Sequence, residues 1–345
     1  MTRTRHRVVD GMAQKTFNFA ILGSGNVAKF HAEAINSLEE AKLIGVADSD
    51  FSRAQTFAEK YGIKPYASYD EMLSDPQVDA VCICTPSGYH AEQAIKALQG
   101  GKHTVLEKPM ALNTEDADKI VEAAEKSDAL ITVISQNRFL PDVQKAKEIV
   151  ESGKLGKLVF CDLFMKYWRD PEYYSASDWR GTFKHDGGGA LINQGIHGVD
   201  MMLYIVGDAK PSFAKIKTSY HNIEAEDTAL AILDFENGAS GVIEASTCAY
   251  PGFNRRIEIV GTEGCMIISE GHIEKLVIGN ETVIEGAVEK RGSSADHTVM
   301  DTSNHARQIQ NLINAINGKE PIFIDAKEAR RPLKLIEEIY SYRNK

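Results

Sequence analysis

Asn18-Phe19-Ala20-Ile21-Leu22-Gly23-Ser24-Gly25-Asn26-Val27-Ala28 is the stretch that decides the fold. Asn18 to Leu22 reads as a short buried strand. It runs straight into a G-x-G-x-x-A turn, and Val27 to Ser37 continues with helical spacing. In such a turn Gly23 makes the tight bend, Gly25 leaves room for a pyrophosphate against the backbone, and Ala28 permits close helix–strand packing. The first N–H groups of the helix then face the phosphates. Glycine turns also simply join strands to helices, so the hexapeptide is weak evidence until its context is added. The context is a strand before it, a helix after it, and a position near the start of the chain. Gly23, Ser24, Gly25, Asn26 and Val27 are therefore candidate cofactor-binding residues.

Outward from the turn, strand and helix patterns alternate. Ala41–Ala47, Val78–Cys84, His103–Leu106 and Ala129–Ile134 read as strands. Phe51–Tyr61, Tyr89–Gln99 and Asn113–Ser127 read as helices, with Gly100-Gly101 closing one and Asn113 or Thr114 capping another. This alternation implies a doubly wound parallel sheet of the Rossmann type. Beyond it the texture changes. Pro141–Glu151 is an amphipathic helix, Leu158–Tyr167 a strand, and Ala190–Val206 a helix. Strands without intervening helices follow: Phe213–Tyr220, Thr228–Phe235, Ala239–Thr247, Arg255–Val260, Cys265–Ser269 and Lys275–Ile278. Asn237-Gly238 and Thr262-Glu263-Gly264 have hairpin-turn chemistry. Ser303–Asn317 and Ala326–Tyr342 are closing helices. The expected architecture is α/β followed by an α+β unit with a large, mainly antiparallel open sheet. Its expected domains are a leader over 1–16, an NAD-binding domain over 17–137, and a substrate-binding and oligomerisation domain over 138–345. The C-terminal helix is expected to pack back on the first domain.

The strand ends carry the chemistry, because open α/β sheets bind ligands at the carboxyl ends of their strands. Asp48 ends the second strand, twenty residues beyond Ala28. An acid there accepts hydrogen bonds from the ribose hydroxyls of NAD and repels a 2′-phosphate, so NAD is favoured over NADP. Arg53, one helical turn on, is the feature that argues the other way. Thr85-Pro86 leaves the next strand beside the expected nicotinamide, and His90 opens the following helix; Thr85, Pro86, His90, Glu107 and Lys108 are further candidate cofactor-binding residues. Glu107-Lys108-Pro109 ends the strand after that, where a lysine is either a chemical residue or a surface residue beside a turn proline.

The densest cluster in the second half is Trp179-Arg180-Gly181-Thr182 followed by Asp186-Gly187-Gly188-Gly189-Ala190-Leu191-Ile192-Asn193-Gln194-Gly195-Ile196-His197-Gly198-Val199-Asp200. The glycine run lacks the lysine and hydroxyl of a P-loop. Read as one helix, Asn193 and His197 share a face, Asp200 is placed to orient His197, and Gly195 leaves room for a ligand. No His, Cys or acid spacing matches a zinc site.

Bulk properties exclude other classes. The 345 residues are 43% hydrophobic and 26% charged, with a net charge of −10. That balance argues against nucleic acid as partner. No apolar run is long enough to span a bilayer. Cys82 and Cys84 alternate in a buried strand without the C-x-x-C turn of a redox or metal pair, and five cysteines of this kind fit a reducing cytoplasm.

Taken together, the turn, Thr85-Pro86…His90, Glu107-Lys108-Pro109, and the G-G-G-x-L…G-x-H-x-x-D pattern at Gly187–Asp200 resemble the glucose–fructose oxidoreductase / inositol dehydrogenase / MocA family from Phe17 to the C-terminus. The resemblance implies a nicotinamide cofactor, a sugar, polyol or nucleotide-sugar substrate, and a homodimer or homotetramer built through the C-terminal sheet. It places Lys108 close to both cofactor and substrate and makes His197 the proton-transfer residue. Many members carry an aspartate four residues before that histidine. Here Asn193 stands there and cannot take a proton. That departure resembles the nucleotide-sugar 3-dehydrogenases of the family, including those acting on UDP-N-acetylglucosamine derivatives. Asn193 and Gln194, with Arg138, Tyr167 and Arg180, are the candidate substrate-binding residues. Two other classes stay open from sequence: an NAD-using glycosidase with transient oxidation, and a non-catalytic NAD-binding regulator.

Overall fold

The computed structural model describes residues 15–286 and 301–343. The expected leader falls almost wholly on residues 1–14, outside the described residues.

The first half winds through β1 (Phe17–Leu22), α1 (Asn26–Asn36), β2 (Ala41–Ala47), α2 (Phe51–Tyr61), β3 (Lys64–Tyr66), α3 (Tyr69–Ser74), β4 (Ala80–Ile83), α4 (His90–Gln99), β5 (His103–Leu106), α5 (Thr114–Glu125) and β6 (Ile131–Val133). Its strands form one parallel sheet in the order β3-β2-β1-β4-β5-β6. The order reverses between β1 and β4, which opens a ligand crevice at their carboxyl ends. β4 is buried at every position, as a strand covered by helices on both faces must be. The Asn113 side chain caps α5 by accepting from the Asp116 N–H at 2.8 Å. β3 and α3, at three and six residues, are too short to leave a periodic signal, and sequence reading did not anticipate them.

The second half begins with α6 (Pro141–Glu151), β7 (Leu158–Lys166), α7 (Pro171–Ser175) and α8 (Ile196–Val206). β8 (Ala209–Lys217), β9 (Thr228–Phe235), β10 (Ser240–Ser246), β11 (Arg256–Gly261), β12 (Gly264–Ser269), β13 (His272–Ile278) and β14 (Glu281–Glu285) follow. They join β7 in an eight-stranded sheet ordered β14-β13-β12-β11-β7-β10-β9-β8, antiparallel except where β10 lies parallel to β7. The strands alternate: Ala229, Ala231, Leu233 and Phe235 of β9 are buried, while Leu230 and Ile232 face outward. The expected helix over 190–206 forms only from Ile196, and residues 190–195 are turns.

α9 (Ser303–Ile316) and α10 (Ala326–Tyr340) return the chain to the first sheet, packing on α1 and α5 respectively. Buried Gln308 of α9 accepts from the Ser135 N–H at 3.1 Å and donates to the Val133 carbonyl at 2.7 Å. The Val133 N–H donates to the Ile324 carbonyl at 3.2 Å, so the connection between α9 and α10 hydrogen-bonds the edge strand of the parallel sheet. These ties fasten the C-terminal helices to the β6 edge of the parallel sheet.

Candidate active site

The turn after β1 has the shape its sequence requires. Gly23 sits at φ +92°, and a Cβ there would lie 2.8 Å from the Cys84 carbonyl. Only glycine fits that conformation and that contact. Gly25 caps α1 without any side-chain bond, and a Cβ there would meet nothing within 4 Å. Unsatisfied helix N–H groups and open space fit a dinucleotide phosphate. Asp48 closes the end of this crevice. Its Oδ2 accepts from the Ser24 N–H and hydroxyl, both at 2.7 Å, and its Oδ1 accepts from the Asp50 N–H at 3.0 Å. Burial opposes ionisation of Asp48, but these donors prevail and hold its pKa below the usual carboxylate range. Arg53 lies 3.9 Å from the Asp48 carboxylate, so its charge is directed to that acid.

Two expected cofactor residues have other work. His90 is buried, with Nδ1 2.7 Å from the Pro109 carbonyl and Nε2 2.9 Å from the Thr85 carbonyl. It therefore ties the Thr85-Pro86 turn to the Lys108–Pro109 peptide, which is cis, and neither ring nitrogen is left for a cofactor. Glu107 turns inward, its Oε1 2.8 Å from Nε2 of buried His31, and its Oε2 accepts from the Lys108 N–H at 3.1 Å. Burial opposes charge on Glu107, but the His31 contact outweighs it and brings the carboxyl down to about 2. Burial alone would lower the His31 imidazole; the Cys84 and Cys82 sulfurs together with the Glu107 carboxylate reverse this, and the net direction is upward. Neighbouring His305, lowered to about 4 by burial and by the His31 charge, stays neutral.

Lys108, Asn193, Gln194, His197 and Tyr167 line one cavity of about 370 Å³, as the sequence grouping anticipates. Lys108 Nζ donates to the Asn193 backbone carbonyl at 3.0 Å. Burial lowers the Lys108 pKa, with Glu107 and Asp186 acting against the shift. Burial, then the charges of Lys108 and Arg255, hold His197 well below the ordinary histidine value, so its imidazole is neutral at pH 7. A neutral imidazole and a cationic amine facing one cavity form a proton acceptor beside a hydrogen-bond donor.

Several expected contacts are corrected. Arg138 does not reach the cavity: it is 1% exposed, forks onto Asp200 at 3.0 and 2.7 Å, and meets Glu328 at 2.9 Å. The same pair removes Asp200 from any role in orienting His197. Arg180 donates to the Tyr173 carbonyl at 2.9 Å and stacks on the Tyr173 ring, outside the cavity wall. Gly195 makes room for protein, since a Cβ there would meet the Ala190 and Leu191 carbonyls at 2.7 and 2.8 Å. The end of the glycine run is taken up by the protein itself: Glu226 accepts from the Gly189 and Leu191 N–H groups at 3.0 and 2.8 Å. Asn193 and His197 do line one cavity, but from a turn and a helix start, not along one helical face.

Sequence reading missed Asn137, Leu140, Arg169, Arg255, Glu270, His272, Asp301 and Asn304 on the cavity wall. Arg169 had a usable signal, because it continues the inward alternation of Met165 and Tyr167 past the end of β7. The others come from distant loops, a 3-10 turn, the first turn of α9 and strand starts, and no local pattern marks them. Among the described residues no group of three or more His, Cys, Asp or Glu is placed to hold a metal.

A doubly wound sheet with this turn, this acid and this cavity defines an NAD-dependent oxidoreductase acting on CH–OH groups. Residues 17–135 match the "Oxidoreductase family, NAD-binding Rossmann fold" and residues 143–267 the GFO/IDH/MocA C-terminal domain; the chain belongs to the GFO/IDH/MocA family. The scyllo-inositol 2-dehydrogenase (NAD(+)) of Bacillus subtilis is 30% identical over 319 residues, covering 89% of this chain and 88% of that protein. The myo-inositol 2-dehydrogenase of Thermotoga maritima is 28% identical and covers 91% and 92%. Among solved structures, the WlbA dehydrogenase of Bordetella pertussis in complex with NADH and UDP-GlcNAcA superposes with a TM-score of 0.85 at 30% identity, covering 95% of this chain and 96% of that one.

Proposed function

We propose that this enzyme oxidises a secondary ring hydroxyl of a nucleotide sugar of the UDP-N-acetylhexosamine type. The observation that carries the reading is the convergence of Lys108, Asn193, Gln194 and His197 on one cavity past the carboxyl end of β5. Three features favour a nucleotide sugar over inositol. Asn193 replaces the carboxylate of an Asp–His relay, Arg169 and Arg255 place two guanidiniums on the wall, and the likeness to the WlbA dehydrogenase runs the length of the chain. NAD, when bound, accepts the hydride from the substrate carbon. Neutral His197 takes the hydroxyl proton, and cationic Lys108 hydrogen-bonds the same oxygen as alkoxide character develops. Gln194 and Tyr167 hold the sugar ring.

Homo-oligomerisation through the outer face of the eight-stranded sheet is supported by exposed Phe160, Phe213, Leu230 and Ile232. A cytoplasmic location is supported by five free cysteines. No helix among the described residues is long and apolar enough to cross a membrane.

The test mixes purified protein and NAD with UDP-N-acetylhexosamines, their uronic acids, free sugars and inositols, and follows NADH absorbance. The as-purified spectrum is read first, because tightly held cofactor masks turnover. NADH with the UDP-sugars and none with inositols is expected. NADH with inositols alone overturns the substrate assignment.

A further inference from the structure

Asp186 hydrogen-bonds the cavity-lining Asn193, and nothing in the proposed reaction uses this carboxylate. It is 1% exposed. Its Oδ2 accepts from the Gly181 N–H at 2.9 Å, and its Oδ1 accepts a close hydrogen bond from the Asn193 side-chain Nδ2. The Asn193 Oδ1 in turn accepts from Gln194 Nε2 at 2.9 Å. Gln194 Nε2 also donates to the Tyr173 hydroxyl at 2.8 Å, and Gln194 Oε1 accepts from Arg169 Nη2 at 2.6 Å. Both ends of the Asn193 amide are thus fixed by protein. Its backbone carbonyl holds the Lys108 ammonium.

We propose that Asp186 is a positioning residue for Lys108: through Asn193 it fixes the carbonyl that orients the ammonium, and it supplies from one side chain further back the negative charge that an aspartate at 193 would place directly. Asparagine at 193 is then one half of a split acid, amide in front and carboxylate behind. The arrangement keeps anionic charge near Lys108 without placing that carboxylate at 193 on the cavity wall. Charges facing Lys108 are Glu107, Asp186 and Arg169, with the His197 imidazole across the cavity. Those facing Asp186 are Lys108 and Arg180, with the Tyr173 and Tyr340 hydroxyls nearby. Burial pushes the Asp186 carboxyl upward, and its donors and these two cations oppose that shift.

The role of Lys108 comes from the proposed function, so the test needs no substrate. NAD-loaded enzyme is trace-labelled with acetic anhydride across pH, and the Lys108 peptide is quantified by mass spectrometry. Asp186→Asn is expected to lower the Lys108 labelling midpoint by roughly one pH unit, the effect of removing one nearby opposite charge. Asp186→Asn with Asn193→Asp, which exchanges amide and acid, returns the midpoint to at least the parent value. Asn193→Ala keeps the charge but cuts the link, and labels Lys108 severalfold faster; this variant decides the matter if Asp186→Asn does not fold. Parent midpoint in Asp186→Asn together with parent rate in Asn193→Ala overturns the proposal. A sugar panel silent in the parent enzyme, with these shifts intact, rejects only the substrate reading.

Discussion

The ammonium of Lys108, one residue past Glu107 at the end of β5, donates to the backbone carbonyl of Asn193 at 3.0 Å although 85 residues separate them. Neither residue is informative alone, but together they join the parallel sheet to the turns that carry His197. The contact also leaves Lys108 half-buried and its charge expensive to keep, which is how a lysine becomes responsive to its neighbours.

The first expectation concerns chemistry. His197→Ala should lower kcat by about 10²–10⁴-fold, the usual worth of a positioned general base. Lys108→Met should lower it by about 10²–10³-fold, as for one lost donor to a developing oxyanion. NAD affinity should change little in His197→Ala. Steady-state NADH formation and NAD titration check this pair of outcomes; near-parent turnover in His197→Ala would remove it from the mechanism.

The pH profile follows from the two shifted groups. His197 must be neutral and Lys108 protonated. Burial and nearby cations lower His197, so activity should rise with pH on a limb lying below 6.5. Burial also lowers Lys108, so activity should fall with pH on a limb lying below 10.5. A bell displaced to lower pH at both ends is expected in kcat/KM.

Asp48→Ala should weaken NAD binding by about tenfold, the worth of one or two ribose hydrogen bonds. The loss should be smaller for NADP, because the repelled 2′-phosphate is relieved. Fluorescence titration with both reduced cofactors distinguishes this from general damage to the turn.

Arg138→Met should cost about 3–5 kcal/mol of stability, because Asp200 would be left buried without its partner. Substrate KM in the folded fraction should stay near the parent value. Urea unfolding gives the first quantity and steady-state kinetics the second.

The Glu107–His31 pair makes a stability prediction with a defined window. The Glu107 carboxyl is lowered from 4.5 to about 2, so its contribution is complete above 4.5 and is lost as pH falls toward 2. His31 is raised, so its contribution is complete below 6.5 and is lost as pH climbs through its folded value. The melting-temperature gap between the parent and Glu107→Gln should therefore be widest between about pH 4.5 and 6.5. A gap that does not vary with pH would show that the pair is not ionised.

The amino-acid sequence by itself determined the parallel sheet, the glycine turn, Asp48, the strand-end Lys108 and the strand series of the second half as far as β13, leaving out the short edge strand β14. These are matters of short-range chemistry: two- and 3.6-residue periods, a left-handed glycine at 23, and a helix N-terminus left uncapped. Only the tertiary structure decided what each charged side chain does. Arg138 and Asp200 both read as site residues, yet they meet each other across 62 residues and close a buried ion pair. His90 is spent on two carbonyls, and the carboxylate missing at 193 stands at 186, facing the amide that replaced it. Burying a charge is costly unless a partner is supplied, and the partner is whichever group folding brings opposite. That pairing is a property of the packed chain, and no spacing along the sequence encodes it.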